Sequence, residues 1–236
     1  MTADDRSEIC GSGVRMHRRK RWFEYVDVVR ICFRPAILLK CLSLIGRGYL
    51  HESGWVKSLE TRLPVDGVGR PVPWMTLPFN DFIEKRLSAT MAVFEYGCGN
   101  STLFFAERVA RVDSVEHDIE WVGRLRDKLP GNVHLSFVAL EYGGAYAQAV
   151  CASGVKYDLV IVDGRDRVRS VVSCFPALSL RGCVVLDDSE RLEYEGAVGA
   201  LRNAGFKRLD FWGLAPGLTY RKCTSVFYRS NNCLGI

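Results

Sequence analysis

The sequence predicts an α/β fold, doubly wound around a mostly parallel sheet, with a helical extension on its N-terminal side. Three observations carry this. From residue 90 onward, short β-rich runs alternate with stretches of helical spacing. The runs Tyr157–Val162 and Gly182–Leu186 are nearly continuous in apolar residues, as strands covered on both faces are. Between an earlier run and a helical stretch stands Gly97-Cys98-Gly99, at the kind of strand–helix junction where parallel sheets receive ligands.

Taken in order, Met91–Tyr96 reads as a strand, Ser101–Val109 as a helix, Val112–Glu116 as a strand and Ile119–Leu129 as a helix. After the turn residues Pro130-Gly131-Asn132 come a strand at His134–Leu140, a strand at Tyr157–Val162, a helix at Val168–Ser179 and a strand at Gly182–Leu186. A helix over Glu193–Ala204 ends at Gly205, a residue suited to a helix stop. Phe206–Phe211 and Ser225–Tyr228 close the chain as strands.

Upstream, residues 1–21 carry no hydrophobic period and read as a disordered basic tail. Residues 22–89 read as a helical and irregular extension, and 90–236 as the ligand-binding domain. Residues 22–47 read as a helix broken near Pro35, packing on the main domain. The breakers Pro64, Gly67, Gly69, Pro71, Pro73 and Pro78 make 60–78 an irregular connection, followed by helical spacing over Phe79–Leu87. Gly54–Phe79 is unusually aromatic for a linker, with Trp55 and Trp74, and is expected to fold across the active site and shape the acceptor pocket.

Composition narrows the function classes. A chain of 236 residues with 48% hydrophobic and 25% charged residues can build a full core. The net charge of +5 is concentrated in part at Arg15–Arg21. That run lacks the aromatic and glycine interleaving of a nucleic-acid module, so no nucleic acid is expected as a partner. Peripheral membrane contact through residues 15–47 is the less favoured alternative to a solvated tail. Nine cysteines, an odd count with no Cys-x-x-Cys pair, suggest neither a disulfide framework nor zinc and fit a reducing cytoplasm.

The chemistry is concentrated in Glu95-Tyr96-Gly97-Cys98-Gly99-Asn100-Ser101-Thr102. The two glycines permit a sharp turn and close backbone approach by a ligand. Asn100 or Ser101 can cap the helix that follows. Glu116 ends the next strand at about the spacing expected of a carboxylate that grips ribose hydroxyls. His117 follows it and is expected to line the same pocket. A dinucleotide would want a third glycine, where Thr102 stands, and its pyrophosphate would be repelled by Glu95. A cofactor with an amino-acid arm and no phosphate suits Glu95 better, which favours S-adenosylmethionine.

At these residues the sequence resembles the class I S-adenosylmethionine-dependent methyltransferases, over roughly residues 90–230. Glu95–Gly99 is similar to that superfamily's first motif, in its Glu-x-Gly-x-Gly-x-Ser-Thr form. Glu116 stands at the ribose-binding position. Tyr157–Gly164 is similar to the fourth motif, whose aspartate, here Asp163, lies near the sulfonium. The resemblance implies a seven-stranded sheet with an antiparallel last strand, cofactor contacts from Glu95, Gly97, Cys98, Gly99, Asn100, Ser101, Thr102, Glu116, His117 and Asp163, and a methyl acceptor that is a small molecule or glycan. Asp163, Asp187 and Asp188 are the candidate catalytic groups, expected to converge on the crevice from adjacent strand ends. Their spacing resembles metal-dependent O-methyltransferases of the catechol and macrocin types, which implies Mg2+ as a second cofactor, although Arg165 stands where the macrocin type carries an acidic base. The alternatives are a non-catalytic Rossmann-like binding module and an NAD(P)-dependent oxidoreductase. The latter commonly uses a Tyr-x-x-x-Lys pair, which is absent here.

Overall fold

The computed structural model describes residues 29–236, and the expected basic tail lies outside them. The chain divides into two compact units, Met1–His51 and Glu52–Ile236.

In the first unit, residues 29–32 are helical. The expected break falls at Arg34, and helix α1 (Pro35–Gly46) starts with proline in its first turn, where a missing N–H costs nothing. α1 buries none of its residues. A single helical turn, α2 (Tyr49–Glu52), follows.

The second unit holds α3 (Trp55–Thr61), α4 (Leu77–Glu84) and a seven-stranded sheet. Its strands are β1 (Ala92–Tyr96), β2 (Arg111–Glu116), β3 (Val133–Phe137), β4 (Tyr157–Val162), β5 (Leu178–Asp187), β6 (Lys207–Gly213) and β7 (Lys222–Tyr228). They lie in the order β3-β2-β1-β4-β5-β7-β6. The first five pair in parallel and β7 runs antiparallel to both neighbours. This is a doubly wound, Rossmann-like topology, with the antiparallel last strand that the sequence resemblance implied. The connecting helices are α5 (Asn100–Ala106), α6 (Ile119–Arg126), α7 (Ala145–Gln148), α8 (Arg167–Cys174) and α9 (Glu195–Asn203).

The apolar strands are sorted by their two-residue period. In β4, Leu159 and Ile161 enter a core with Phe79, Ile83, Phe104 and Phe105, while Val160 and Val162 enter the opposite one with Tyr146, Val171 and Leu201. All four are fully buried, and each contributes about 1.5–3 kcal/mol by leaving water. Covering both faces is what a continuous apolar strand requires.

Two of the boundaries that differ from expectation share one cause. The helix expected over Val168–Ser179 stops at Cys174, because Pro176 lacks the N–H to continue it and a short 3-10 turn over Phe175–Ala177 follows. β5 accordingly starts at Leu178, earlier than Gly182. Gly205 does stop α9, at φ 82°, with the Phe206 N–H donating to the Leu201 carbonyl at 3.1 Å.

The strand order reverses between β1 and β4, which opens a crevice at their carboxyl ends. The loops after these strands approach closely: a Cβ on Gly97 (φ 91°) would sit 3.4 Å from the Gly164 Cα.

Candidate active site

A cavity of about 330 Å³ lies in this crevice, within the range of small-molecule sites. Glu95, Gly97, Cys98 and Ser101 line it from the glycine turn, Glu116 and His117 from the end of β2, and Asp163, Gly164, Arg165 and Arg167 from the end of β4. Gly99, Asn100 and Thr102, also expected at the cofactor, support the turn from outside the cavity.

Their support can be traced bond by bond. The Thr102 hydroxyl accepts the Gly99 N–H at 2.9 Å and donates to Glu95 Oε2 at 2.5 Å. One side chain thus starts α5 and orients the first acidic group. Asn100 Nδ2 donates to the Pro64 carbonyl at 2.8 Å, which fastens the irregular Gly54–Phe79 segment to the glycine turn. At its other end that segment reaches the loop between β6 and β7: Trp55 Nε1 donates to the Leu218 carbonyl at 2.7 Å and Trp74 Nε1 to the Pro216 carbonyl at 2.9 Å. Trp121, not singled out in the sequence, donates its indole N–H to the Cys98 carbonyl at 2.8 Å and fixes the middle of the turn.

The two glutamates differ in their surroundings. Glu95 is 1% exposed. Burial, reinforced by the Glu116 charge and opposed by the Ser101 and Thr102 hydroxyls, pushes its carboxyl up to about 7. Glu116 is held by backbone donors. Its Oε1 accepts the N–H groups of His117 at 2.7 Å and Asp118 at 3.0 Å, and its Oε2 accepts that of Cys98 at 3.2 Å. His117 Nδ1 lies 2.6 Å from Glu116 Oε1 but off the line of a hydrogen bond, and has no other partner. The Cys98 thiol is pushed up by burial and by both glutamates, so it stays protonated and acts as a packing group.

The three aspartates stand close together at adjacent strand ends. Asp163 lines the cavity, and Asp187 and Asp188 are held in a cluster of ion pairs. Asp187, 1% exposed, takes the Lys222 ammonium on Oδ2 and the Thr224 hydroxyl on Oδ1 at 2.6 Å. Asp188 pairs with Lys222 at 2.8 Å and Arg191 at 2.8 Å, and with Arg167 at 3.4 Å. Asp188 has φ 52°, a conformation held against strain by these contacts. Although burial raises the Asp188 carboxyl, these cations hold it below its ordinary value. Lys222 is likewise held above its own despite burial, by Asp187 and Asp163.

Arg167 ties both strand ends together. Its guanidinium donates to the Gly164, Asp163 and Asp187 carbonyls and to Asp163 Oδ1 at 3.0 Å. Asp163 is nonetheless raised well above the usual carboxylate range, by burial and by Asp187, with Arg167 and Lys222 opposing. Asp166, which follows the Arg165 that departs from the macrocin pattern, caps α8 from a left-handed conformation and accepts the Gly143 N–H at 2.6 Å.

These residues do not fit Mg2+. The carboxylates that would ligate it already hold the cations of Lys222, Arg167 and Arg191. Among the described residues no group of three or more His, Cys, Asp or Glu side chains is arranged for a metal. Lys222 and Arg167 were invisible to sequence reasoning because nothing local marks a lysine opening a strand or an arginine opening a helix as buried partners of distant aspartates. In sequence, Tyr142-Gly143-Gly144-Ala145-Tyr146 reads as a flexible aromatic loop next to the pocket, and Tyr146 ends it. It is fully buried, with its hydroxyl over Gly164, where a Cβ would come within 2.1 Å of it.

Comparison with known proteins gives the fold alone. No family model and no curated protein matches the sequence. Among solved structures, an rRNA methylase from Streptococcus thermophilus is similar at 13% identity, with 64% of this chain and 96% of that chain covered and a TM-score of 0.47. Precorrin 8W decarboxylase from Methanobacterium thermoautotrophicum aligns at 19% identity over 72% of this chain and 97% of that one, with a TM-score of 0.49. A Streptococcus mutans protein solved in complex with SAH aligns at 13% identity over 63% and 94%, with a TM-score of 0.47.

Proposed function

We propose that this chain is an S-adenosylmethionine-dependent methyltransferase acting on an oxygen of a small molecule or glycan. One observation carries the reading: two buried glutamates, Glu95 and Glu116, face one cavity from either side of a glycine turn. Glu95 suits the ammonium of an amino-acid arm, and Glu116, at the end of β2, suits a ribose diol. A pyrophosphate in the same turn would meet two carboxylates, and the nearest buried guanidinium, Arg167, is already engaged by Asp163 and by carbonyls.

The bound cofactor supplies an electrophilic methyl group on a sulfonium. A hydroxyl that accepted this methyl group would have to lose its proton. Asp163 is the group placed to take that proton: it lines the cavity and its carboxyl is held above the usual range, nearer the pH at which a general base is effective. Arg167 and, through Asp187 and Asp188, Lys222 position it. The Gly54–Phe79 segment is fastened at Asn100 and at the β6–β7 loop, and on this reading it shapes the acceptor side. Holding the acceptor in line with the methyl can contribute about 7–11 kcal/mol to the rate enhancement.

The test is calorimetric titration with S-adenosylhomocysteine and, separately, NAD+. The homocysteine compound should bind and NAD+ should not. Glu116→Ala removes charge-assisted hydrogen bonds of about 1.5–3 kcal/mol each and should weaken binding about tenfold or more. Tighter binding of NAD+ would refute the reading.

A further inference from the structure

Helix α1 is anomalous for a protein in water. Over Pro35–Gly46 none of its residues is buried, and Ile37, Leu39, Leu42, Leu44 and Ile45 are between 39% and 65% exposed. At about 100° per residue these side chains spread over roughly 220° of the helix, and Lys40 and Ser43 fall together in the remaining sector. A wide apolar arc with a narrow polar side carrying a basic residue is the pattern of a helix that lies in a membrane interface. Twelve residues span about 18 Å, well short of the roughly 30 Å hydrocarbon core of a bilayer. No helix among the described residues is long and apolar enough to cross a membrane. The charge around α1 is of one sign: residues 28–51 contain Arg30, Arg34, Lys40 and Arg47 and no acidic residue, and Arg15–Arg21 adds a basic run upstream.

We propose that residues 29–47 are a docking element for an anionic lipid surface. α1 lies in one leaflet at the boundary between headgroups and acyl chains, with Arg34, Lys40 and Arg47 reaching the lipid phosphates. Phe33, 81% exposed, enters the same layer. Lys40, the single charge within α1, reaches the headgroups by extending its methylene stem along the helix. This inference is independent of the cofactor reading.

The experiment is co-sedimentation of the full chain with vesicles of phosphatidylcholine alone and of phosphatidylcholine with an equal part of phosphatidylglycerol. The chain should bind the mixed vesicles and bind the neutral ones far more weakly. Each basic residue at the surface contributes about fivefold in affinity, so Arg34→Gln/Lys40→Gln/Arg47→Gln should lose roughly a hundredfold on mixed vesicles. Leu39→Glu/Leu44→Glu should abolish binding while circular dichroism melting of the main domain stays at the wild-type temperature. Failure to bind mixed vesicles, or equal binding by the leucine variant, overturns the proposal. So does a wild-type dimer in lipid-free buffer that the leucine variant converts to a monomer, which would assign α1 to a second copy of the chain.

Discussion

Replacing Glu95 by glutamine separates stability from cofactor recognition. In the ligand-free chain the Glu95 carboxyl rises from 4.5 to about 7 because it is enclosed. A group raised on folding adds stability that is complete below its unfolded value and is lost as pH climbs to its folded value. Between pH 4.5 and 7 the loss is about 1.36 kcal/mol per pH unit, or about 3 kcal/mol in all. Glutamine keeps the shape and can still accept the Thr102 hydroxyl, but does not ionise. At pH 8 the ligand-free Glu95→Gln protein should therefore melt about 6–12 °C above wild type, and the advantage should vanish near pH 4.5. Cofactor binding should show the reverse cost. Only the ionised carboxylate attracts an ammonium, so wild-type affinity for S-adenosylhomocysteine should fall about thirtyfold from pH 8 to pH 5.5, while the variant binds weakly with little pH dependence. Melting curves by differential scanning calorimetry and titrations across this range provide the check. A wild-type affinity flat with pH, or a variant less stable than wild type at pH 8, would refute the reasoning.

Three further perturbations address other parts of the site. Asp163→Asn should lower kcat by about 10²–10⁴ and remove the acidic limb of the pH–rate profile, while leaving affinity for S-adenosylhomocysteine within a few-fold, as titration would show. Lys222→Met strands Asp187 and Asp188 without their ammonium and should cost about 3–5 kcal/mol in urea unfolding, a deficit that shrinks as pH falls and the carboxylates protonate; adding Mg2+ to the wild type should leave its melting temperature unchanged. Gly164→Ala drives a methyl group into the buried Tyr146 hydroxyl and should destabilise by about 1–3 kcal/mol; restoration by Gly164→Ala/Tyr146→Phe in the same unfolding assay would confirm the contact.

The parts of this molecule that are legible in sequence are those set by local pattern. The apolar continuity of β4, the glycine turn and the acidic end of β2 each follow from neighbouring residues, and the structure brings Glu95, Glu116 and His117 to one cavity. Helix ends moved where a single residue decides them, as Pro176 does for α8. The partners of the aspartates were not legible, for a different reason. Asp163, Asp187 and Asp188 do stand at adjacent strand ends, but their partner Lys222 is separated from Asp187 by 35 residues and reaches it only because β7 runs antiparallel beside β5. Strand pairing at that range leaves no periodic trace. The same holds for Arg167, whose carbonyl partners lie on two loops. α1 illustrates the converse: its apolar composition is legible in sequence, and its exposure is not.

The central claim, that the cavity between β1 and β4 holds S-adenosylmethionine, is tested most directly by a crystal structure of the chain with S-adenosylhomocysteine. The account predicts the ligand's ammonium at Glu95, its ribose hydroxyls at Glu116 and its sulfur on the Asp163 side of the glycine turn. A ligand bound elsewhere, or one whose ammonium contacts neither Glu95 nor the Gly97–Gly99 backbone, would contradict it.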